Sequence, residues 1–253
     1  MRTKALQLLV VSCLVALAGC SGALSGGGGA GEQTLGDVSY PAGVSENGTD
    51  VSTLADAHVE ALNGSSFTLE LDVTQRGAGS NAVRAAVGPD RDNVRVNVSA
   101  DGQSMELYTT GERRYLRVAT GGDVTYRTTR RTSDGTSFVP SSYSGATYLD
   151  QFGVRAGANF TPTGVRQLDG TKVVVLRADG SNVSAPERAN VADYDATILV
   201  DEQGVVHRFE ASVGTERDDT STRISVTMNI SDVETTGVEE PSWLDAARNQ
   251  TSS

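Results

Sequence analysis

The chain has 253 residues, of which 32 are acidic and 21 are Lys or Arg, so that its formal net charge at pH 7 is −11. This length suffices for one sizeable hydrophobic core or two small ones. With this acidic balance and no basic patch to neutralise phosphates, we expect no nucleic-acid partner. Lysine is almost absent after the first few residues. Such an acid excess is typical of proteins that work in concentrated salt, which screens their self-repulsion; an acidic mesophilic protein is the alternative.

The first 19 residues predict a signal peptide, because two basic residues precede a mostly apolar run over 5–18 that is too short to span a bilayer. The stretch Leu17-Ala18-Gly19-Cys20 resembles the lipobox of prokaryotic lipoproteins. The resemblance implies lipidation of Cys20 and an anchor on the extracellular face of the cell membrane. The alternative is an incidental cysteine after an ordinary cleavage site. Because Cys13 lies in the removed segment, the mature chain has no disulfide.

Residues 20–36 predict a flexible tether that begins at the lipidated cysteine. Four consecutive glycines occupy 26–29, and the segment has no apolar period. Its length allows a domain to stand roughly 20 Å from its anchor. The glycines do not form a phosphate loop, because no strand precedes them and no Lys-Ser/Thr pair follows. We expect a single domain over 37–253.

The stretch VSTLADAHVEALNGS, at 51–65, predicts an N-terminal helix. Ser52 or Thr53 can cap it, and the Asn-Gly pair at 63–64 ends it. Its apolar face, which includes Leu54, is narrow, so we expect the helix to pack on a sheet.

Alternation of apolar and polar residues dominates from 67 to 126 and predicts a meander of short strands with one buried face. Asp101-Gly102 and Gly121-Gly122 are hairpin turns in this prediction. The segment 133–164 is rich in Ser, Thr, Gly and Pro and breaks the pattern, apart from a short helix predicted around 148–154.

Strands resume at 172–178, 194–200, 205–213 and 223–230, and a hairpin turn at 201–204 joins two of them. A short final helix is predicted from Pro241, with Trp243 packed as core. The predicted fold class is mainly β (α+β). It is a curved antiparallel sheet or half-barrel of about ten strands, with the N-terminal helix packed on it and the short C-terminal helix.

The sequence contains seven Asn-x-Ser/Thr sequons among ten asparagines, where chance predicts about two. This enrichment indicates an exterior location. The candidate N-glycosylation sites are Asn47, Asn63, Asn97, Asn159, Asn182, Asn229 and Asn249.

Motifs for catalysis and metal binding are weak or absent in the sequence. His58 does not share a helix face with its nearest acidic neighbours, and His207 alternates in phase with apolar strand residues. The two histidines lack metal-ligand spacing, the acidic turns do not match a calcium loop, and no nucleophile motif occurs. We therefore expect no metal, no cofactor and no enzymatic activity. The basic cluster at 127–131 has two interpretations: contact with anionic headgroups or sugars, or pairing with surrounding carboxylates.

Three stretches carry a family resemblance. LDGTKVVVLRADG (168–180) and ILVDEQGVVHRFEASV (198–213) are similar to paired strands of the LolA/LppX-like lipoprotein-carrier superfamily, and the element order over about 36–244 resembles it too. The stretch 40–62 is similar to the opening of a haloarchaeal lipoprotein family of uncharacterised function. The resemblance implies an incomplete barrel around an apolar cavity that holds acyl chains and is closed by a helix.

Residues expected to line that cavity share an apolar side chain on a predicted strand. The candidates are Leu69, Leu71, Val96, Met105, Leu107, Leu116, Val175, Ile198, Phe209, Val226 and Met228. The alternative at each position is a residue that simply fills a core.

Three function hypotheses follow. The first is a membrane-anchored extracellular lipoprotein, non-catalytic, that binds or carries a lipid or another apolar ligand in a sheet cavity. The second is a structural or interaction module of the cell envelope with a filled core, binding protein or glycan with its outer face. The third is an enzyme, which requires clustered carboxylates or a histidine in a cleft.

Overall fold

A computed structural model describes residues 34–130, 143–180, 190–217 and 220–250. The predicted signal peptide, Cys20, most of the tether, residues 133–142 and Asn182 lie outside the described residues. The first described element is a 3₁₀ turn at Leu35–Asp37. The side chain of Leu35 packs against the main core, and its carbonyl accepts a hydrogen bond from the Tyr40 hydroxyl at 3.4 Å.

Thirteen strands and three short helices make up the described fold. A small hairpin consists of β1 (Val44–Ser45) and β2 (Gly48–Thr49). The other strands are β3 (Phe67–Gln75), β4 (Gly79–Val87), β5 (Val94–Ala100), β6 (Gln103–Thr110), β7 (Arg113–Thr120), β8 (Asp123–Arg130), β9 (Thr161–Leu168), β10 (Thr171–Asp179), β11 (Asn190–Asp201), β12 (Val206–Arg217) and β13 (Thr220–Ser231). The helices are α1 (Val51–Ala61), α2 (Ala146–Leu149), which continues into a π-helical turn at Asp150–Val154, and α3 (Leu244–Gln250).

The eleven strands from β3 to β13 form one open, curved antiparallel sheet in the order β8-β7-β6-β5-β4-β3-β13-β12-β11-β10-β9. Strands β3 and β13 pair and so join the two predicted meanders. This confirms the predicted fold class. The hairpin β1–β2 was not predicted, and the strand of the large sheet that falls outside the predicted alternating segments is β9, whose Pro162 and Gly164 weaken the strand signal. Because β9 is an edge strand, a missing backbone donor is tolerated there.

Both predicted glycine turns are present. Asp101 and Gly102 have φ values of 40° and 80°, and Gly121 and Gly122 have values of 58° and 98°. Positive φ at both central residues is the geometry that two-residue hairpins prefer, because its twist matches that of the flanking strands.

The cap of α1 differs from the prediction. Asp50, rather than Ser52 or Thr53, is the N-cap, and its carboxylate accepts a hydrogen bond from the Thr53 backbone N–H at 3.0 Å. This hydrogen bond lowers the pKa of Asp50. The reason for the difference is the preceding β1–β2 hairpin, which leaves Asp50 in the extended conformation that a cap requires.

We call the sheet face that α1 covers the inner face and the opposite one the outer face. The main core lies between the inner face, α1 and the segment 143–160. A second core on the outer face holds Trp243 against Tyr108 and Tyr115, where α3 packs on β7 and β8. The only tryptophan is therefore a core residue, as predicted, but in the smaller core.

Candidate functional site

Most of the predicted cavity-lining residues are buried in the main core. Eight of the eleven candidates are less than a tenth exposed there: Leu69, Leu71, Val96, Leu107, Ile198, Phe209, Val226 and Met228. The same core contains Leu54 of α1 and Leu149, Phe152 and Phe160 of the segment 143–160. At these positions the inner face is thus occupied by side chains of the protein itself.

Gly145 shows how closely the segment 143–160 approaches the sheet. A Cβ atom at Gly145 would overlap the Met228 sulfur and lie 3.5 Å from Leu69 Cδ1. Its φ of +80° is also one that glycine adopts without strain. The segment therefore rests on two of the predicted cavity residues with backbone rather than side chain.

The remaining inner-face candidates, Met105 and Leu116, mark an open part of this face. Met105 is 36% exposed and Leu116 is half-buried. Val83, Val98, Met105 and Val118 are directly paired neighbours in one row across β4 to β7. We call Val83, Val98, Met105, Leu116 and Val118 the inner shelf; all five are partly exposed or exposed, and two of them touch the main core.

Val175 lies on the outer face and is the one cavity candidate that the structure places on the wrong side. It packs with Val173 and Leu199, while Val174 and Leu176 point into the main core. The physical reason is that β10 is apolar on both faces. Strict alternation, which sets the orientation of a strand, is therefore missing over 173–176.

Two arginines lie on the inner face next to the shelf. Arg127 of β8 is paired directly with Leu116, and Arg114 of β7 is paired with Thr129. Arg127 is exposed, and Arg114 is half-buried. The basic cluster of the sequence therefore points partly to the inner face.

His58 connects α1 to the two elements around it. The ring is fully buried; Nδ1 accepts a hydrogen bond from the Val206 backbone N–H at 3.0 Å, and Nε2 lies 2.9 Å from the Ser144 carbonyl oxygen. Because a backbone N–H can only donate, Nδ1 is unprotonated and Nε2–H donates to Ser144. Burial lowers the pKa of His58 from 6.5 to about 4. The residue is thus neutral and holds β12, α1 and the segment 143–160 together.

The hairpin turn at 201–204 is the second docking point of α1. The buried Asp201 carboxylate accepts hydrogen bonds from the Gln203 and Val205 N–H groups at 3.0 and 2.9 Å, and its other oxygen lies 2.8 Å from His207 Nε2. Gly204, at φ +96°, lies against Ala57 of α1. The Val-Asp-x-x-Gly pattern of the sequence therefore shapes a turn on which the helix rests.

On the outer face, Glu106 is the centre of a polar network. Its carboxylate pairs with Arg117 at 3.0 Å and Arg95 at 3.4 Å, and it accepts a hydrogen bond from Trp243 Nε1 at 2.9 Å. The network links α3 to the sheet. Its partners come from distant parts of the chain, so no local sequence pattern predicts it.

A groove of about 450 Å³ runs beside this network. Its polar lining includes the ion pair Glu70–Arg84, together with Asp72, Asn97 and Ser104. Val83, Val98 and Met105 of the inner shelf also contribute to its lining, so the groove is mixed in character.

Arg91 is a structural residue that no local sequence pattern identifies. Its guanidinium donates to the Ser65 and Gly88 carbonyls at 2.6 and 2.7 Å and lies 5.0 Å from the centre of the Phe67 ring. Burial lowers the pKa of Arg91. It also reaches the Leu62 carbonyl and so caps the end of α1 with positive charge, the sign that a helix C-terminus favours.

A family model matches residues 4–247 of the sequence. The chain belongs to this family of unknown function, DUF7537. No curated protein matches it. Among solved structures, MucB in the MucA/MucB complex of Pseudomonas aeruginosa is similar at 16% identity and a TM-score of 0.33, covering 72% of this chain and 57% of that one. MucB in complex with MucA(peri) is similar at 14% identity and a TM-score of 0.34, covering 76% and 60%. This chain spans less than two thirds of those solved chains.

The two sequon asparagines on described sheet strands lie on the outer face of the sheet. Asn47, Asn63, Asn159 and Asn249 are exposed, and each lies in a turn, in a loop or near the end of α3. Asn97 and Asn229 are partly exposed in the middle of outer-face rows, since Asn97 pairs with Glu106 and Asn229 with Glu70. Glycans on Asn97 and Asn229 would therefore project from the outer face and not from the inner shelf.

Within the four described ranges, no group of three or more His, Cys, Asp or Glu side chains is arranged to hold a metal ion. In the same ranges, no helix has both the length and the apolar character needed to cross a bilayer.

Proposed function

We propose that this protein is a lipid-anchored, non-catalytic module of the extracellular cell envelope that binds an apolar ligand, such as an acyl or isoprenoid chain, on its inner shelf. The anchor is the lipid on Cys20, and the tether over 20–36 lets the folded domain move near the membrane. The lipobox resemblance and the sequon enrichment support this location.

The inner shelf is the observation that carries the ligand proposal. Its valine, leucine and methionine side chains form a row across four strands, beside the buried core, and Met105 is 36% exposed. Covering contiguous apolar surface of this kind with a ligand is favourable, by about 25 cal/mol of free energy for each Å² removed from water. Because the helix-covered part is filled, the ligand lies on the shelf and not in a deep cavity.

Native mass spectrometry with organic extraction tests the proposal on chain purified from its own or a related host in high salt. We expect a co-purifying lipid of defined mass. The Met105→Asp variant, which places a charge in the apolar contact, should lose it. Val124→Asp is the matched control, because Val124 is 40% exposed on the outer face of neighbouring β8. Loss in both variants, or in neither, contradicts the assignment of the shelf.

The anchor has its own test in the same host. The mass of the mature N-terminal peptide should include a lipid on Cys20, and the Cys20→Ser variant should lack the lipid and leave the membrane fraction. An unmodified Cys20 in membrane-bound wild-type protein would contradict the anchor.

A second candidate function is the envelope interaction module with a filled core. The burial of eight predicted cavity residues and the groove with its charged outer-face side chains favour it. A protein that is free of lipid as purified, and that takes up none from added host lipids, would support this candidate over the first.

A further inference from the structure

Charged side chains are dense on the outer face of β3 to β8 and sparse on the inner face. The strand register places three acidic residues and five arginines on the outer face: Glu70, Asp72, Glu106, Arg84, Arg95, Arg113, Arg117 and Arg130. On the inner face of the same six strands the charged residues are Arg114, Arg127 and Asp123. Asp123 is four residues from Arg127 along the extended strand, about 13 Å away. The inner face beside the shelf thus carries few charges, and Arg127 is the exposed cation among them.

Arg127 differs from most of the described outer-face arginines. On that face Arg84, Arg95 and Arg117 each pair with a glutamate. The guanidinium of Arg127 is exposed and has no ion pair or hydrogen bond among the described residues. It stands on β8 directly opposite Leu116 of the shelf.

Arg114 is the other arginine on this face, near Arg127. It pairs with Thr129, two residues from Arg127, so the two arginines are diagonal neighbours about 7–8 Å apart at the backbone. Arg114 is half-buried and has an interaction of its own, so the contact with a headgroup is assigned to Arg127. An exposed cation beside an apolar row is complementary to an amphiphile, whose negative headgroup would meet the cation and whose chain would meet the row.

We propose that the ligand of the inner shelf is an anionic amphiphile: its headgroup pairs with Arg127, and its apolar chain runs across the strands from β8 toward β4. The inference rests on the proposed function and names the chemical class of its ligand. The occupant is a single amphiphile and not a membrane surface, because the positive charge lies at one end of the row.

Isothermal titration calorimetry tests this on the full chain carrying Cys20→Ser, which leaves out the lipid anchor. The probes are dodecyl phosphate and dodecyl maltoside, which share one chain and differ in charge, both below their critical micelle concentrations, together with inorganic phosphate. We expect dodecyl phosphate to bind about fivefold more tightly than dodecyl maltoside, the scale of one partly screened ion pair. Inorganic phosphate should not bind measurably.

The Arg127→Gln variant should remove this fivefold preference and leave the binding of dodecyl maltoside unchanged. Arg130→Gln is the matched control, since Arg130 is exposed at the end of the same strand with the opposite orientation. Raising KCl from the lowest concentration at which circular dichroism shows a folded domain should shrink the preference, because the Debye length falls as salt rises, to about 3 Å at 1 M.

Equal binding of the two amphiphiles, unchanged by Arg127→Gln, would overturn the anionic headgroup while leaving the proposed function intact. Failure of both to bind would overturn the proposed function itself. Capture by anionic vesicles without binding of the monomeric probe, or binding of inorganic phosphate alone, would also refute a single amphiphile as the occupant.

Discussion

The buried His58 makes the stability of the fold depend on pH in a way that can be worked out in advance. Both ring nitrogens are used in the neutral form, and burial lowers the pKa to about 4 from 6.5. Above pH 6.5 the ring is neutral in the folded and the unfolded chain, and its stabilising contribution is fully present. Between pH 6.5 and 4 the unfolded chain takes up a proton that the folded chain does not, so the free energy of unfolding falls as pH falls.

The size of the effect follows from the pKa difference. Each pKa unit corresponds to 1.36 kcal/mol, so the contribution of His58 declines by about 3 kcal/mol from pH 7 to pH 4. That is a large share of the 5–15 kcal/mol typical of a domain. Protonation of Nδ1 would also leave the Val206 N–H facing a second donor.

The measurement is chemical denaturation, followed by circular dichroism at fixed high salt, of wild type and His58→Gln between pH 8 and 4. Glutamine does not titrate, and it costs about 1–3 kcal/mol at pH 8 by leaving the Val206 N–H without its acceptor. The stability advantage of the wild type should shrink by about 3 kcal/mol toward pH 4. Carboxylate titration is common to both proteins and cancels, and His207→Gln reports the contribution of the other histidine. An advantage that stays constant with pH would refute this account of His58.

Three further predictions concern the segment 143–160 and the surface. Gly145→Ala should destabilise the fold by about 1–3 kcal/mol more than Gly102→Ala in thermal or urea unfolding, because both sites have φ of +80° but only a Cβ at 145 meets Met228; equal losses would contradict the close approach. Tyr194→Phe should cost about 1–3 kcal/mol, because the Tyr194 hydroxyl donates at 2.6 Å to the Phe152 carbonyl of the π-helical turn; an unchanged unfolding midpoint would show that water satisfies that carbonyl instead. The domain should lose its cooperative fold in dilute buffer and regain it in multimolar KCl if the acid excess is an adaptation to salt; identical melting in both would contradict that interpretation.

The local features of the fold were predictable because they depend on neighbouring residues. Alternation identified most strands, Asp101-Gly102 and Gly121-Gly122 marked their turns, and α1 followed from its periodicity. Edge strand β9 was missed because Pro162 and Gly164 lower its strand propensity, and the strand is stabilised by its pairing with β10. Intrinsic β propensity is a weak predictor where pairing with a distant strand determines the conformation.

The candidate site was less predictable, because sequence alternation gives a face but not what covers it. Leu69 and Met105 belong to the same inner face, yet one lies beneath the protein's own segment and the other is open to solvent. Val175 shows the further difficulty of a strand that is apolar on both sides. The roles of His58 and Arg91 depend on partners more than 20 residues away in the sequence. Local residue spacing does not predict such contacts.

The inner shelf follows from the dimensions of the sheet. Eleven strands at about 4.8 Å spacing make a sheet roughly 50 Å wide. Helix α1 has 11 residues and is about 16 Å long, so it covers about a third of that width even when it lies across the strands. The segment 143–160 covers a further part, around Leu69 and Met228. An apolar inner face that extends as far as β7 therefore exceeds what these two elements can bury. The excess is found at the shelf, next to Arg127, where an amphiphile could supply the cover that the two elements do not.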